Sequence, residues 1–147
     1  GGSVSTVVRF GSVVHAPLAS YGYADRIVSF EATEALRYLP YLAPDGKMLV
    51  NSEVIVPLPV LIDLAKMPDD TIGFLESQGA QIVDALEIAR SLGNPKGTNI
   101  VLLGALSVEL PFDEEVWKDA IRGRVPEKTI AANLKSFDAG RLAVSGK

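Results

Sequence analysis

The chain has 147 residues, a length that fits one domain of ordinary size with a sizeable hydrophobic core. Its net charge is −4 and its lysines and arginines are scattered, so we expect no nucleic-acid partner. It has no cysteine, which excludes cysteine-ligated clusters, and no apolar run of the roughly 20 residues that span a bilayer, so we expect no membrane contact.

The chain opens with a predicted strand. Ser3 to Phe10 is rich in valine, serine and threonine, and Val13 to His15 is predicted to return as a short strand after a turn at Gly11 and Ser12. The start lacks the basic region and apolar block of a signal peptide. Together with the absence of cysteine, this favours a cytoplasmic location.

Strands and helices then alternate. RIVSF (26–30) predicts a buried strand, and the helix after it should be limited or kinked by Pro40. APDG (43–46) predicts a turn, and KMLVNS (47–52) predicts the next strand. EVIVPLPVL (53–61) predicts an extended edge or connector, because proline cannot donate to a sheet ladder.

The last half of the chain is mainly helical. Asp69 to Gln78 predicts a short helix, AQIVDA (80–85) a strand, and the following helix should end at Gly93. Three helical segments close the chain. The alternation predicts an α/β fold of three layers, α/β/α, with a mixed, mostly parallel sheet whose strands are covered on both faces.

One loop, GNPKGTN (93–99), invites comparison with a phosphate-binding loop. A Walker loop needs the spacing G-x-x-x-x-G-K-[ST] after a strand, whereas this loop follows a helix and has no lysine after its second glycine. Gly93 instead occupies the place of a left-handed helix cap, and Pro95 is a common stop signal. We therefore interpret the loop as a connector between helices.

The candidate contact residues lie where strands end. In open α/β sheets, ligands bind beyond the carboxyl ends of the strands, so Glu31, after the strand RIVSF, and Asn51, at the end of the next, are candidate cofactor contacts. A structural role at the helix N-terminus is the alternative for Glu31. We assign no catalytic residue and no metal ligand.

Further candidates are weaker. Gly1, Gly2 and Ser3 could form an anion-binding nest of backbone N–H groups or could be a remnant of cloning. The lone His15 has no nucleophile arranged around it, so a structural role is favoured. Four tyrosines near loops could form a contact surface or be ordinary half-buried aromatics; they are Tyr21, Tyr23, Tyr38 and Tyr41.

Several stretches resemble one family of oxidoreductase subunits. In chain order they are GGSVSTVVRFG, ADRIVSFEATEALRYLPYL, DGKMLVNS, DALEIARSLGNPKGTNIVLLGAL and VPEKTIAANLKSFDAGR. They look like the gamma-type domain of the 2-oxoacid:ferredoxin oxidoreductases, closest to the beta subunit of the indolepyruvate-type enzymes. The resemblance covers nearly all of residues 1–147, which would form a single gamma-type domain, and it would place Gly1 and Gly2 in an Arg-Gly-Gly-Ser turn of that family.

The resemblance implies that the steps of the reaction are divided among different subunits. These complexes decarboxylate a 2-oxo acid on thiamine diphosphate, pass electrons through iron–sulfur clusters to ferredoxin, and transfer the acyl group to coenzyme A. The thiamine and cluster sites belong to a partner subunit, and the absence of cysteine here agrees with that. The gamma-type domain packs and gates on the coenzyme A side, and we assign no cofactor firmly to this chain alone.

The resemblance also implies that the chain lacks the first strand, a G-x-G-G-x-G turn and a helix that the family carries before Gly1. Such a turn presents backbone N–H groups to phosphates. We therefore expect no catalysis from the chain alone. The alternative hypothesis is a stand-alone α/β module that binds a nucleotide or a partner without redox chemistry.

Overall fold

A computed structural model of the chain describes residues 4–145, so the predicted turn at Gly1, Gly2 and Ser3 lies outside the described residues. Within this range there are three strands and seven α-helices. The strands are β1 (Ala24–Ser29), β2 (Leu42–Asn51) and β3 (Gln81–Val83); the helices are α1 (Ala32–Tyr38), α2 (Leu58–Leu61), α3 (Thr71–Ser77), α4 (Ala85–Ser91), α5 (Thr98–Ser107), α6 (Glu114–Arg122) and α7 (Ile130–Val144).

The three strands form one parallel sheet in the order β1-β2-β3. Each crossover runs through at least one helix, as is usual for the connection between parallel strands. No antiparallel strand joins the sheet within residues 4–145, so the described part of the predicted mixed sheet is wholly parallel. The α/β class and the layered arrangement are confirmed.

Side chains alternate between the two faces of β2, and each face has its own core. Leu49 packs on one face with α4, α5 and α7, through residues such as Ala89, Val101 and Val144. Met48 and Val50 pack on the other face with α1 and α3. Because successive strand residues point to opposite faces, this short apolar run serves both layers of helices.

Helix α5 is largely apolar, and most of its residues are buried. Val101, Leu102 and Ala105 face the sheet and α4, while Ile100 packs against α6 and α7 near Phe137. A helix that is apolar all round belongs in a protein interior. The long run NIVLLGALS is thus explained by its central position between the sheet and the last two helices.

The sequence locates most element boundaries well. Tyr38 ends α1 and a short 3₁₀ turn, Leu39–Tyr41, follows at Pro40, as the proline predicts. Gly93 has φ of 70° directly after α4, which confirms the left-handed cap. The predicted turn APDG is wrong, because these residues lie within β2, which begins at Leu42 and not at Lys47; the irregularity there is a shift in register from Ala24↔Leu42 to Arg26↔Lys47.

The two N-terminal strand predictions are wrong for the described residues. Residues 4–10 and 13–15 have no strand, and residues 4–18 are exposed throughout. A valine-rich alternation gives a segment the tendency to be extended, but a strand needs a neighbouring ladder for its backbone groups. No strand of the described range lies beside this segment.

The predicted extended connector at residues 53–61 is only half right. Residues 53–57 have no regular structure, but Leu58–Leu61 forms the single-turn helix α2. Pro57 is its N-cap and Pro59 lies in its first turn, where a missing N–H costs no hydrogen bond. The prolines therefore begin a helix here instead of protecting a sheet edge.

Candidate functional site

The candidate site lies at the edge of the sheet where all three parallel strands end. Phe30 and Glu31 follow β1, Asn51 ends β2, and Asp84 follows β3. The chain is cross-linked there by backbone hydrogen bonds, from Ser52 N to the Val83 carbonyl at 3.0 Å and from Ala32 N to the Glu53 carbonyl at 2.7 Å. The sequence-predicted contacts Glu31 and Asn51 are therefore both on this edge.

Asn51 holds the strand ends together with its side-chain amide. It is only 1% exposed. Its Nδ2 donates to the Phe30 carbonyl at 3.0 Å, and its Oδ1 accepts from Ala85 N at 3.0 Å. One side chain thus links the end of β1 to the start of α4 across the end of β2, which explains why a polar residue stands in this buried position.

Glu31 is the N-cap of α1. Its Oε1 accepts from Glu34 N at 3.0 Å, and its Oε2 accepts from Thr33 N at 3.1 Å and from Ile55 N at 3.4 Å. A side-chain acceptor at this position satisfies helix N–H groups that have no partner within the helix. The structural alternative for Glu31 is thus realised, and both carboxylate oxygens face backbone donors of the chain itself.

A second residue of α1, Thr33, was not singled out by the sequence. Its Oγ1 donates to the Ile55 carbonyl at 2.7 Å, so Glu31 and Thr33 together hold both backbone groups of Ile55. A threonine two places after a cap gives only a weak signal, because its partner lies 22 residues further along the chain. The pair fixes the path of the segment that leaves β2.

The loop GNPKGTN is a helix connector, as interpreted from its spacing. Asn94 N donates to the Ala89 carbonyl at 2.9 Å, which closes the end of α4. The Asn94 side chain donates to Ser136 Oγ at 3.1 Å on α7, and Pro95–Gly97 form a 3₁₀ turn into α5. The loop is therefore tied to the helical layer by contacts with α4 and α7.

Three of the four tyrosines come together, while His15 stays apart. The rings of Tyr21 and Tyr41 have centroids 4.6 Å apart, and those of Tyr38 and Tyr41 are 5.7 Å apart. A hydrogen bond with the Tyr21 hydroxyl raises the pKa of the Tyr41 phenol above its ordinary value of 10.0. His15 is exposed on the segment before β1 and lies outside this cluster of rings.

Towards the opposite end of the sheet there is a cavity of about 260 Å³, lined among others by Arg26, Lys47 and Gln81. Glu109 closes it by pairing with Arg26 at 2.7 Å and with Lys47 at 3.4 Å. Since these cations lie beside the C-terminal end of α5, their placement also suits the negative end of that helix. We interpret this cluster as a structural tie between β1, β2 and the chain after α5.

Two kinds of site are not found in the described range. Among residues 4–145, no three histidine, aspartate or glutamate side chains are grouped as a metal ion would need. Within the same residues, no helix is long and apolar enough to cross a bilayer. The strand-end edge therefore stands as a polar, hydrogen-bonded edge without a metal-ligating cluster in the described range.

Solved structures similar to this chain show the same fold. The gamma subunit of a keto/oxoacid ferredoxin oxidoreductase from Geobacter sulfurreducens superposes with a TM-score of 0.60 at 22% identity, over 84% of this chain and 65% of that one. A 2-oxoglutarate:ferredoxin oxidoreductase from Magnetococcus marinus, solved with 2-oxoglutarate, coenzyme A and succinyl-CoA, gives 0.59 at 18% identity, over 90% of this chain and 22% of that one.

Relatives found by sequence are more similar to this chain than these two solved structures are. The indolepyruvate oxidoreductase subunit IorB of Thermococcus kodakarensis is 41% identical over 95% of this chain and 72% of its own length. The IorB subunit of Archaeoglobus fulgidus is 37% identical over 100% of this chain and 76% of its own length. Residues 1–143 match the family described as pyruvate ferredoxin/flavodoxin oxidoreductase. The resemblance in the sequence is thereby confirmed, and the chain belongs to the pyruvate ferredoxin/flavodoxin oxidoreductase family.

Proposed function

We propose that this chain is the subunit without an iron–sulfur cluster in a 2-oxoacid:ferredoxin oxidoreductase that acts on indolepyruvate or a related 2-oxo acid. The observation that carries the proposal is the identity of 37–41% to indolepyruvate oxidoreductase subunits over nearly the whole chain. The proposed reaction is oxidative decarboxylation of the 2-oxo acid to an acyl-CoA, with the released electrons passing to ferredoxin.

In this proposal the redox chemistry belongs to a partner subunit. Thiamine diphosphate and the iron–sulfur clusters would be held there, and ferredoxin would receive its electrons there. The absence of cysteine supports this assignment, because iron–sulfur clusters are held by cysteine thiolates. Thiamine supplies the carbanion chemistry when it is bound, so this chain would contribute binding, orientation and exclusion of water.

We propose that Gly1, Gly2, Ser3, Glu31 and Asn51 take part in cofactor binding, either as contacts or by shaping the strand-end edge. The strand-end edge by itself does not fit the phosphates of coenzyme A. Both Glu31 oxygens are anionic and already accept backbone N–H groups, and both amide atoms of Asn51 are engaged within the chain. In the proposal, Glu31 and Asn51 therefore hold the shape of the edge, while backbone N–H groups at Gly1–Ser3 would supply donors.

The same geometry argues against the alternative of a stand-alone nucleotide-binding module. Phosphate binding at a strand end needs free backbone donors or a positive helix end of some length. At this edge the donors of α1 are occupied by Glu31, and the first turn of α4 is occupied by Asp84, which accepts from Glu87 N at 3.2 Å. The described edge thus offers few unoccupied backbone N–H donors to a nucleotide phosphate.

The proposal is tested by reconstitution. The chain is co-expressed with a thiamine-binding oxidoreductase subunit, and reduction of a viologen dye is measured with indolepyruvate and coenzyme A, with pyruvate and 2-oxoglutarate as comparison substrates. We expect a stable complex whose dye reduction requires both subunits and coenzyme A. A chain that neither associates nor alters turnover would contradict the proposal, and tight binding of coenzyme A, NAD or ATP by the chain alone would favour the stand-alone module.

A further inference from the structure

An unusually apolar surface segment follows β2. Residues 54–62, the apolar segment, read VIVPLPVLI and contain no polar side chain. Six of the nine are exposed large apolar residues, with exposed fractions from 40% to 67%: Val54, Ile55, Val56, Leu58, Leu61 and Ile62. Contiguous apolar exposure of this kind marks an interaction surface more often than a chance feature of a soluble protein.

The apolar segment is held in a defined conformation. Glu31 and Thr33 bind the two backbone groups of Ile55, at 3.4 and 2.7 Å. Further along, Leu61 N donates to the Pro57 carbonyl at 3.1 Å and Leu64 N donates to the Pro59 carbonyl at 2.8 Å. The segment is thus tied at both ends, so its outward-facing side chains are presented by an ordered backbone and would lose little conformational entropy on binding.

A groove of about 360 Å³ runs beside the apolar segment. Its lining includes the apolar residues Val56, Val60 and Met67 and the acidic residues Asp69 and Asp70. Asp70 Oδ1 accepts from Gly73 N at 2.8 Å as the cap of α3. Asp69 makes no hydrogen bond or ion pair within residues 4–145, so its carboxylate is available to a cation.

The lining of the groove suits a lysine or arginine side chain. Such a side chain lays its methylene stem along an apolar surface and places its charge at a polar end. Here the stem would lie along Val56, Val60 and Met67, and the cation would reach Asp69. The chain around the groove is also negatively charged, because residues 53–70 contain four acidic residues and a single lysine.

We propose that the apolar segment and this groove dock the partner subunit of the oxidoreductase, through an apolar surface on that subunit that carries a lysine or arginine. This inference rests on the proposed function. A second copy of this chain fits less well, because a symmetric contact through this surface would bring its acidic rim against the same acidic rim, and like charges facing each other across an interface cost several kcal/mol.

The test compares two variants with two matched controls. Asp69→Lys reverses the charge at the groove, and Leu61→Asp places a charge in the apolar segment. Asp45→Lys and Leu142→Asp make the same changes at exposed positions elsewhere, Asp45 in β2 and Leu142 on α7. The dissociation constant of each chain for the purified thiamine-binding subunit is measured by surface plasmon resonance over a range of salt concentrations.

We expect Asp69→Lys and Leu61→Asp each to bind at least about tenfold more weakly than the unaltered chain, and the two controls to bind like it. Binding of the unaltered chain should also weaken with salt, and Asp69→Lys should remove most of that dependence. Circular dichroism of all four variants should be unchanged, since every altered side chain is exposed.

The outcomes separate this inference from the proposed function. If the unaltered chain does not bind the thiamine-binding subunit, both are overturned. If it binds and neither Asp69→Lys nor Leu61→Asp differs from its control, the complex stands and the proposed docking surface is wrong. If sedimentation shows a homodimer that Leu61→Asp dissociates, the surface joins two copies of this chain, which also overturns the inference.

Discussion

At the scale of single residues, Asn51 links more of the structure than its position at a strand end suggests. Its two hydrogen bonds reach residues 21 and 34 positions away in the chain. No local pattern reveals such partners, so the sequence predicts a polar side chain at the right edge without predicting what it binds. The same holds for Glu31, whose bond to Ile55 N spans 24 residues.

We predict that Asn51→Ala destabilises the chain by about 2–4 kcal/mol, because the Phe30 carbonyl and Ala85 N–H would each lose a partner at a buried position. The free energy of unfolding is measured by urea denaturation. Asn99→Ala is the matched control, since Asn99 is exposed near the start of α5 and should change stability by less than about 0.5 kcal/mol. Equal losses for the two variants would contradict this role of Asn51.

Single glycines decide how closely two elements approach. Helices α5 and α7 cross with Gly104 of α5 against the backbone of Phe137 and Gly140 of α7 against the backbone of Val101. A Cβ at either glycine would overlap a carbonyl group that has no flexible end to move. The apolar patterns predict both helices, but the reciprocal glycine contact is visible only once the two are packed.

We therefore predict that Gly104→Ala costs about 2–3 kcal/mol of stability, although alanine favours a helix more than glycine does. The crossing would have to widen, which loosens the contacts of Val101 and Phe137. Gly123→Ala, after α6, is the control, because its added Cβ would meet the Asp119 carbonyl at an ordinary 3.5 Å. Thermal unfolding of both variants checks the difference, and a stabilised Gly104→Ala would contradict the close crossing.

A charged cluster joins α6 to α7. Lys118 Nζ lies 2.6 Å from Glu114 on its own helix and 2.9 Å from Asp138 on α7, and Glu114 also pairs with Arg141 at 3.2 Å. The spacing of Glu114 and Lys118 predicts their i,i+4 pair, which the structure confirms. The links to α7 could not be predicted, because they depend on how the two helices are packed.

This cluster gives a pH dependence with a definite sign. The hydrogen bond with Lys118 holds the pKa of the Glu114 carboxyl below its ordinary value of 4.5. Its stabilising contribution is therefore present above pH 4.5 and is lost as the pH falls through the lower pKa of the folded chain. We predict that Glu114→Gln lowers the melting temperature near neutral pH and that the difference from the unaltered chain shrinks in acid.

Melting curves at a series of pH values between about pH 7 and pH 3 check this prediction. Glu76→Gln on α3 is the matched control, because Glu76 is exposed and forms no ion pair in the described range. If the difference in melting temperature between Glu114→Gln and the unaltered chain stays constant as the pH falls, the carboxylate charge is not what stabilises the α6–α7 contact.

For the molecule as a whole, the sequence predicts the layered α/β class because strand and helix periods alternate clearly from Arg26 onward. It fails at residues 4–10, where strand propensity is high but no neighbouring strand is present in the described range. It also misreads residues 53–61, because two prolines can begin a short helix as readily as they can end a sheet. Both failures fall on exposed apolar segments, where packing does not decide the local conformation.

The exposed N-terminal segment leads to a prediction about how the stability of the backbone varies along the chain. No backbone N–H of residues 4–21 donates a hydrogen bond within the described range, whereas β2 is paired on both sides and α5 is buried between the sheet and α7. Amide protection follows such differences in hydrogen bonding and burial. We therefore expect the amides of residues 4–21 to exchange within seconds, and those of Met48, Leu49 and Val101 to exchange slowest.

Hydrogen–deuterium exchange read by mass spectrometry checks this in the isolated chain and in its complex with the thiamine-binding subunit. In the complex, exchange should slow at residues 54–64 and stay unchanged in α5, whose amides are already protected and serve as the internal control. Slow exchange of residues 4–21 in the isolated chain would mean that this segment is hydrogen-bonded in solution. Slowing confined to the α6–α7 face would place the partner on the side of the molecule away from the groove.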